Sequence, residues 1–141
     1  MARLNATQYQ RELLARLMRA EAEADGDEGM MLVGMVGINR VLANCAEFKN
    51  IHDIEDMVYQ SPGGFEAILY SYFYQRPREN ELRLVDRLIN EGERFEPGSE
   101  ALWFFDPGKT TCPATWWGNW NAGRFGDHCF YYAPPNKNCT F

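Results

Sequence analysis

Hydrophobic positions in the first 98 residues recur at the three- and four-residue spacing of amphipathic helices. The first predicted helix begins after Thr7, whose hydroxyl can cap it, and runs to about residue 24. Its opposite face carries charged side chains and is expected to be solvated. We expect the acidic, glycine-containing turn at residues 25–29 to end it. The predicted buried stripe comprises Leu13, Leu14, Leu17, Met18 and Ala20.

Three further helices and two strands follow from the same pattern. Residues 30–44 are apolar on nearly every side and predict a central, buried helix, whereas residues 53–60 and 77–91 predict a short helix and a charged amphipathic one. Residues 101–105 and 128–132 are aromatic, bounded by Pro and Gly, and predict strands. The chain is therefore predicted to be one α+β domain over residues 1–141. Its helices occupy the N-terminal two thirds, and a small antiparallel sheet with aromatic loops occupies the rest.

Composition and charge exclude several classes of protein. With 45% hydrophobic and 24% charged residues the chain has a globular composition. Its net charge of −6 lacks the basic surface that nucleic-acid binding requires. The longest apolar run, residues 30–38, is about half the length of a bilayer span. The N-terminal segment is charged and amphipathic rather than a signal peptide, so we expect synthesis in the cytosol without a signal peptide.

Glu21 is the strongest candidate for chemistry. The helical period places it on the buried stripe, whereas Glu23 lies on the solvated face with Arg19. Because burial disfavours the charged form of a carboxyl group, the pKa of Glu21 is expected to be raised, as a general acid requires. The alternative is a structural role, in which Glu21 caps an internal group or forms an ion pair with one, for instance Arg40.

The acidic turn is a candidate calcium site, because Asp25, Asp27 and Glu28 supply carboxylates. The later oxygen ligands and terminal Glu of a calcium-binding loop are missing, so a solvated turn is the favoured interpretation and no metal is predicted. The two histidines, His52 and His128, also lack the close spacing of a zinc site.

The four cysteines leave their redox state open, since no CxxC spacing occurs. A Cys–His nucleophile pair could form between Cys112 or Cys129 and a histidine. However, His128 and Cys129 are consecutive in a predicted strand and therefore point to opposite faces. Inert cysteines are the favoured interpretation.

Aromatic residues are concentrated near the C-terminus, and all four tryptophans lie between Trp103 and Trp120. Some must belong to the core. Their large faces can also stack on sugar rings, and a nearly uncharged surface suits a neutral polysaccharide. A raised-pKa carboxyl beside such a platform would indicate glycoside chemistry.

Several sequence segments together resemble one family. The stretch AEAEADGDEGMMLVGMVGINRV at residues 20–41 is similar to the signature of the SleB/CwlJ cell wall hydrolases, the cortex-lytic enzymes of bacterial endospores. Further similar segments are FKNIHDIEDMVYQ, GGFEA, YFYQRPRENE, ALWFFDP, CPATWW and GDHCFYY. The combination of VGINRVLANC, YFYQR, CPATW and HCFY most resembles the CwlJ branch.

The resemblance implies a lysozyme-like fold and peptidoglycan hydrolysis during spore germination, with the mechanism of a lytic transglycosylase. The family's catalytic glutamate aligns with Glu21. Supporting residues, including a possible second acid, are then Glu28, Glu66, Asn39 and Arg40. Substrate-binding positions are then Phe65, Tyr72, Phe105, Trp117 and His128. No cofactor is implied, although calcium with dipicolinate acts on the CwlJ branch.

The resemblance also implies a place and a partner. We expect the protein at the boundary of endospore coat and cortex, bound to cortex peptidoglycan and anchored by a small spore-coat protein, with residues 76–94 as a candidate docking helix. Two other functions stay open. One is an N-acetylmuramoyl-L-alanine amidase, which would need zinc or a cysteine nucleophile, and the other is a non-catalytic cortex-binding or coat-binding module.

Overall fold

Four α-helices and four β-strands make up the regular structure of residues 2–141, the part of the chain that the computed structural model describes. Short 3-10 helices connect several of them. The helices are α1 (Gln8–Ala22), α2 (Gly26–Leu42), α3 (Ile54–Val58) and α4 (Glu79–Ile89). The strands are β1 (Trp103–Phe105), β2 (Thr115–Trp116), β3 (Asn119–Phe125) and β4 (His128–Tyr132). The predicted α+β class, with helices mostly in the N-terminal part, is confirmed.

Helix α1 begins where the sequence predicts. The Thr7 hydroxyl accepts a hydrogen bond from the backbone N–H of Gln10 at 3.1 Å, and the Gln10 side chain accepts one from the Thr7 N–H at 3.0 Å. This reciprocal capping box satisfies two donors that the helix start leaves unpaired. Four residues of the predicted stripe, Leu13, Leu14, Leu17 and Met18, are fully buried, and the fifth, Ala20, is partly buried.

The acidic turn after α1 differs from the prediction. Residues 26–29 do not separate two helices, because α2 begins at Gly26 and these residues form its first turn. Gly26, at φ +76°, allows the chain to reverse there, as glycine does without steric cost. Asp27 and Glu28 then lie at the helix N-terminus, where the helix dipole stabilises acidic side chains.

Helix α2 is the centre of the core. Every residue from Gly29 to Arg40 is buried, and α2 packs against α1, α3 and α4. At Gly34 the side chains of Met18 and Leu88 approach so closely that an added Cβ would displace them. The absence of a side chain at this position is therefore what allows α1 and α4 to pack on the same part of α2.

The sheet has the order β1-β4-β3-β2, and every pair is antiparallel. The two predicted strands, β1 and β4, are confirmed and are neighbours, with Phe104 opposite Phe130. Strands β2 and β3 were not predicted. Strand β3 contains Asn and Gly, and a β-bulge between Asn121 and Gly123 interrupts its alternation, so its periodicity is weak.

All four cysteines form disulfides, Cys45–Cys139 and Cys112–Cys129. Cysteines in disulfides cannot act as nucleophiles, so the alternative of a Cys–His pair is wrong for this structure. No helix in the described chain is long and apolar enough to cross a membrane.

Candidate active site

A cleft of about 810 Å³ lies between the C-terminal end of α1, the loop at residues 60–66 and the sheet. Acidic, basic and aromatic side chains alternate along its walls. Seven of the residues predicted from sequence line it: Glu21, Arg40, Phe65, Glu66, Phe105, Trp117 and His128. The cleft thus brings together predicted residues that are up to 107 positions apart in the sequence, from Glu21 to His128.

Glu21 lies near the end of α1, partly buried in the wall of this cleft. One carboxyl oxygen, Oε1, accepts a hydrogen bond from the backbone N–H of Ala67 at 3.1 Å. Burial raises the pKa of Glu21, and the negative charge of Glu66 acts in the same direction. The Ala67 hydrogen bond and the charges of His128 and Arg40 oppose that rise without cancelling it. Glu21 therefore faces a cleft and holds its proton more readily than a free glutamate does.

The alternative role of Glu21 as a structural ion-pair partner is not what the structure shows. Among the described residues, the ion pairs do not include Glu21. Glu23, two residues further on, instead pairs with Arg19 at 3.4 Å and with Arg78 at 3.2 Å on the outer face of the helix.

Arg40 lies buried beneath the cleft, and its guanidinium is held from several sides. Its Nε donates to the carbonyl of Leu102 at 2.7 Å, and its Nη1 donates to the carbonyl of Gly63 at 3.1 Å. The guanidinium also stacks on the Phe65 ring at 4.6 Å. Burial lowers the pKa of Arg40 to about 10, so it stays cationic at neutral pH and supports the floor of the cleft.

Aromatic rings form much of the remaining wall. Phe65 stacks on Phe104 with ring centroids 5.9 Å apart, and Phe105 stacks on Trp116 at 4.9 Å. Trp117 packs edge-on against Trp116 and leaves 82% of its own surface exposed. An exposed ring at the rim of an aromatic wall can stack on the face of a sugar. Glu66 lies exposed on the same rim.

His128, at the start of β4, completes the wall through a contact that the sequence did not reveal. Its Nδ1 lies 2.9 Å from a carboxylate oxygen of Asp25, and the two side chains are only 14% and 7% exposed. The prediction that Asp25 belongs to a solvated turn is therefore wrong. Nothing in the local sequence signals a pair of residues separated by 103 positions.

The other two acids of the candidate calcium turn face elsewhere. Asp27 accepts hydrogen bonds from Asn80 at 2.8 Å and from Arg83 at 3.3 Å on α4. Glu28 is exposed. Within residues 2–141, no three Asp, Glu, His or Cys side chains are grouped so that they could hold a metal ion.

Three predicted site residues lie outside the cleft. Glu28 is exposed on the first turn of α2 and does not line it. Asn39 is buried and donates to the carbonyls of Gly98 at 3.0 Å and Ala101 at 2.8 Å, so it fixes the chain that leads into β1. Tyr72 is exposed, with its ring 5.4 Å from the guanidinium of Arg19. These residues are not brought together with Glu21 in the described cleft.

Other residues of the cleft were not predicted as site residues. Glu47 accepts a hydrogen bond from the Trp103 indole at 2.8 Å, and Lys137 donates to the Asn119 side chain at 2.6 Å. Trp103 and Trp116 were indicated only as part of the aromatic cluster. Glu47 and Lys137 carry no local signal, because they reach the cleft through loops that the Cys45–Cys139 disulfide joins.

A helical region that presents a raised-pKa glutamate across a cleft from a curled antiparallel sheet defines a protein of the lysozyme-like class. Within that class, the chain belongs to the Cell Wall Hydrolase family, whose model matches residues 24–131.

Individual relatives agree with this assignment. The chain is 57% identical to cell wall hydrolase CwlJ of Oceanobacillus iheyensis over 139 residues, which cover 99% of this chain and 96% of that protein. It is 31% identical to the spore cortex-lytic enzyme of Bacillus subtilis over 84% of this chain and 36% of that protein. The catalytic domain of the germination-specific lytic transglycosylase SleB of Bacillus anthracis superposes with a TM-score of 0.70, at 24% identity over 90% of this chain and 97% of that domain.

Proposed function

We propose that the protein is a lytic transglycosylase that cleaves spore-cortex peptidoglycan during germination, with Glu21 as its general acid. The observation that carries this proposal is the environment of Glu21, which is partly buried, faces the cleft and has a raised pKa. The names of the relatives, which include a spore cortex-lytic enzyme and a germination-specific lytic transglycosylase, support the choice of substrate and reaction.

The proposed reaction needs one neutral carboxyl group. Glu21 donates its proton to the glycosidic oxygen between N-acetylmuramic acid and N-acetylglucosamine, and the C6 hydroxyl of the muramic acid attacks C1 as that bond breaks. The product carries a 1,6-anhydro ring, and no water is consumed. The proton of the C6 hydroxyl must pass to a base, which in the simplest scheme is the ionised Glu21 itself.

Hydrolysis would require a second carboxylate to activate water or to attack the sugar. Glu28, one of the two candidates, lies outside the cleft. Glu66, the other, is exposed on the rim, so it keeps its hydration. Glu47 and Asp106 also line the cleft, so the choice of a single-carboxylate reaction depends on the environment of Glu21 and on the relatives rather than on a lack of other acids.

The proposal predicts that Glu21→Gln abolishes cortex lysis, because glutamine keeps the shape of the side chain and has no proton to donate. The measurement is mass analysis of the muropeptides released from purified cortex, with Glu23→Gln as the matched control on the outer face of the same helix. Wild-type protein and the control should release anhydromuramic ends. Lysis by Glu21→Gln at the wild-type rate would reject the assignment of Glu21.

The same measurement separates the alternatives. Reducing ends would indicate a hydrolytic glycosidase, and free stem peptides would indicate an amidase. The amidase is less well supported, because all four cysteines are in disulfides and the described residues group no zinc ligands. A non-catalytic cortex-binding module would bind glycan equally well with Glu21→Gln and would release no product.

We further propose that the protein acts at the boundary of spore coat and cortex, anchored there by a small coat protein. Support for this location comes from the spore enzymes among the relatives. The exposed face of α4 and its flanks, residues 76–94, is our candidate docking surface. Arg83 and Asp86 lie exposed on that face.

A further inference from the structure

We propose that His128, held in position by Asp25, is the base that removes the proton from the C6 hydroxyl, so that the acid and the base of the reaction are two different residues. This inference rests on the proposed transglycosylase function and divides between two side chains the roles that the simplest scheme gives to Glu21 alone. In these terms His128 is a catalytic residue and Asp25 is a positioning residue.

The imidazole of His128 has one occupied and one available nitrogen. Nδ1 lies 2.9 Å from the Asp25 carboxylate, which can only accept a hydrogen bond when ionised, so Nδ1 carries the proton. Within residues 2–141, Nε2 has no hydrogen-bond partner and is not a buried atom. The ring lines the cleft that Glu21 also lines. Nε2 is therefore an unoccupied acceptor beside the proposed acid.

Asp25 sits in a space that two glycines leave open. A Cβ on Gly126 would collide with the Asp25 carboxylate, and a Cβ on Gly29 would collide with its Cβ. The backbone N–H of Asp127 also donates to the carboxylate at 3.3 Å. Backbone at Gly29 and at residues 126–127 thus fixes the Asp25 carboxylate beside the imidazole. A carboxylate in this position orients a catalytic histidine and sets its tautomer.

The surroundings of His128 suit a base. The Phe104 ring packs edge-on against the imidazole at 5.3 Å, and Phe130 lies on another side at 6.4 Å, so both restrict its rotation. The charged groups near it are Asp25 on the turn after α1, Glu21 on α1 and its own neighbour Asp127.

The proton and electron balance of the step is complete. Nε2 takes the C6 hydroxyl proton while O6 forms its bond to C1, the bond from C1 to the glycosidic oxygen breaks, and Glu21 gives its proton to that oxygen. The step leaves an imidazolium and a carboxylate in one cleft. Return of the proton from His128 to Glu21, directly or through solvent, restores the enzyme.

The test compares two variants with matched controls. His128→Asn can still donate to Asp25 but has no base at the Nε2 position, so kcat for release of anhydromuropeptides should fall about 100-fold or more, with KM unchanged within about threefold. Asp25→Asn should lower kcat about tenfold or more, because the imidazole loses its fixed tautomer. The controls are His52→Asn and Asp56→Asn. They alter a similar pair, 3.6 Å apart, whose histidine is 76% exposed and lies outside the cleft.

A pH profile of kcat distinguishes a base from a merely structural residue. Wild-type protein should show two limbs, one from Glu21 and one from His128, and His128→Asn should show only one. Unfolding curves and binding to insoluble cortex show whether each variant is folded. This inference alone would be overturned if the wild type releases anhydro ends and folded His128→Asn behaves in one of three ways. Its kcat could be unchanged, its pH profile could keep both limbs, or its loss could be confined to KM. Reducing ends from wild type would instead reject the proposed function, and the inference with it.

Discussion

The carboxyl group of Glu21 lies on the apolar face of α1, and this placement has opposite effects on the proposed acid catalysis and on stability. Burial favours the neutral form that can donate a proton. The same burial makes ionisation unfavourable in the folded state compared with the unfolded state. Because the pKa of Glu21 is raised on folding, its contribution to stability is present at low pH and is lost as the pH rises through the folded-state pKa.

At neutral pH we therefore expect Glu21→Gln to be more stable than the wild type. Glutamine does not ionise, so between pH 4 and pH 8 the gain in unfolding free energy should grow from the ordinary glutamate pKa up to the raised folded-state pKa and then level off. Urea unfolding of both proteins across this range measures the difference. A difference that stays constant or shrinks as the pH rises would contradict the burial argument.

Sequence reasoning reached Glu21 because a single residue on a helix stripe has a local signature, namely its spacing from Leu14, Leu17 and Met18. It did not reach the contact between Asp25 and His128, which joins residues 103 positions apart. Nor did it assign Glu47 and Lys137 to the cleft. Such contacts depend on how loops are placed in three dimensions, and periodicity carries no information about them.

At the scale of elements, the helices were largely predictable, as were strands β1 and β4, whereas the adjacent strands β2 and β3 were not. Strong amphipathic spacing located α1 and α4 to within about two residues. Helix α2 begins at Gly26, earlier than the predicted residue 30. The acidic residues and glycines before residue 30 predict a break, but acidic residues also suit the first turn of a helix. Strand β2 has only two residues, which is too short for any alternation to show.

The loop at residues 60–66 forms one wall of the cleft, and it turns so tightly at Gly64 that we expect any larger residue there to be destabilising. A Cβ at Gly64 would collide with the backbone carbonyl of Gln60. The same loop supplies the Gly63 carbonyl and the Gln60 side chain that bind Arg40.

We expect Gly64→Ala to lower the unfolding free energy by about 2 kcal/mol or more and to reduce activity, since the loop must move away from Arg40. Urea unfolding and cortex lysis measure the two effects. Gly108→Ala measures the cost of backbone strain alone, because that glycine has positive φ but open space around it, whereas Gly64 is not at positive φ. Wild-type stability of Gly64→Ala would show that crowding at Gly64 is unimportant.

For the whole molecule, the two disulfides constrain very different lengths of chain. Cys45–Cys139 closes a loop with a sequence separation of 94, and Cys112–Cys129 one of 17. The loop-entropy model of disulfide stabilisation gives about 5 kcal/mol for the first and about 3 kcal/mol for the second. Neither pairing was predicted, because sequence spacing alone does not determine which cysteines meet.

Replacing both members of each pair by serine tests this ranking. The Cys45→Ser/Cys139→Ser variant should lose more stability than Cys112→Ser/Cys129→Ser when unfolding is followed in urea without reductant. A smaller loss for the longer loop would mean that local packing rather than chain entropy dominates.

The segment after β4 returns to the helical region, where the Thr140 carbonyl accepts a hydrogen bond from the Asn44 N–H at 2.8 Å and Cys139 is joined to Cys45. Lys137, which lies between β4 and Cys139, lines the cleft. A single proteolytic cut between Tyr132 and Lys137 would therefore separate Lys137 from β4 at one side of the cleft, while the Cys45–Cys139 disulfide would still hold the released end and Glu21 would keep its place on α1.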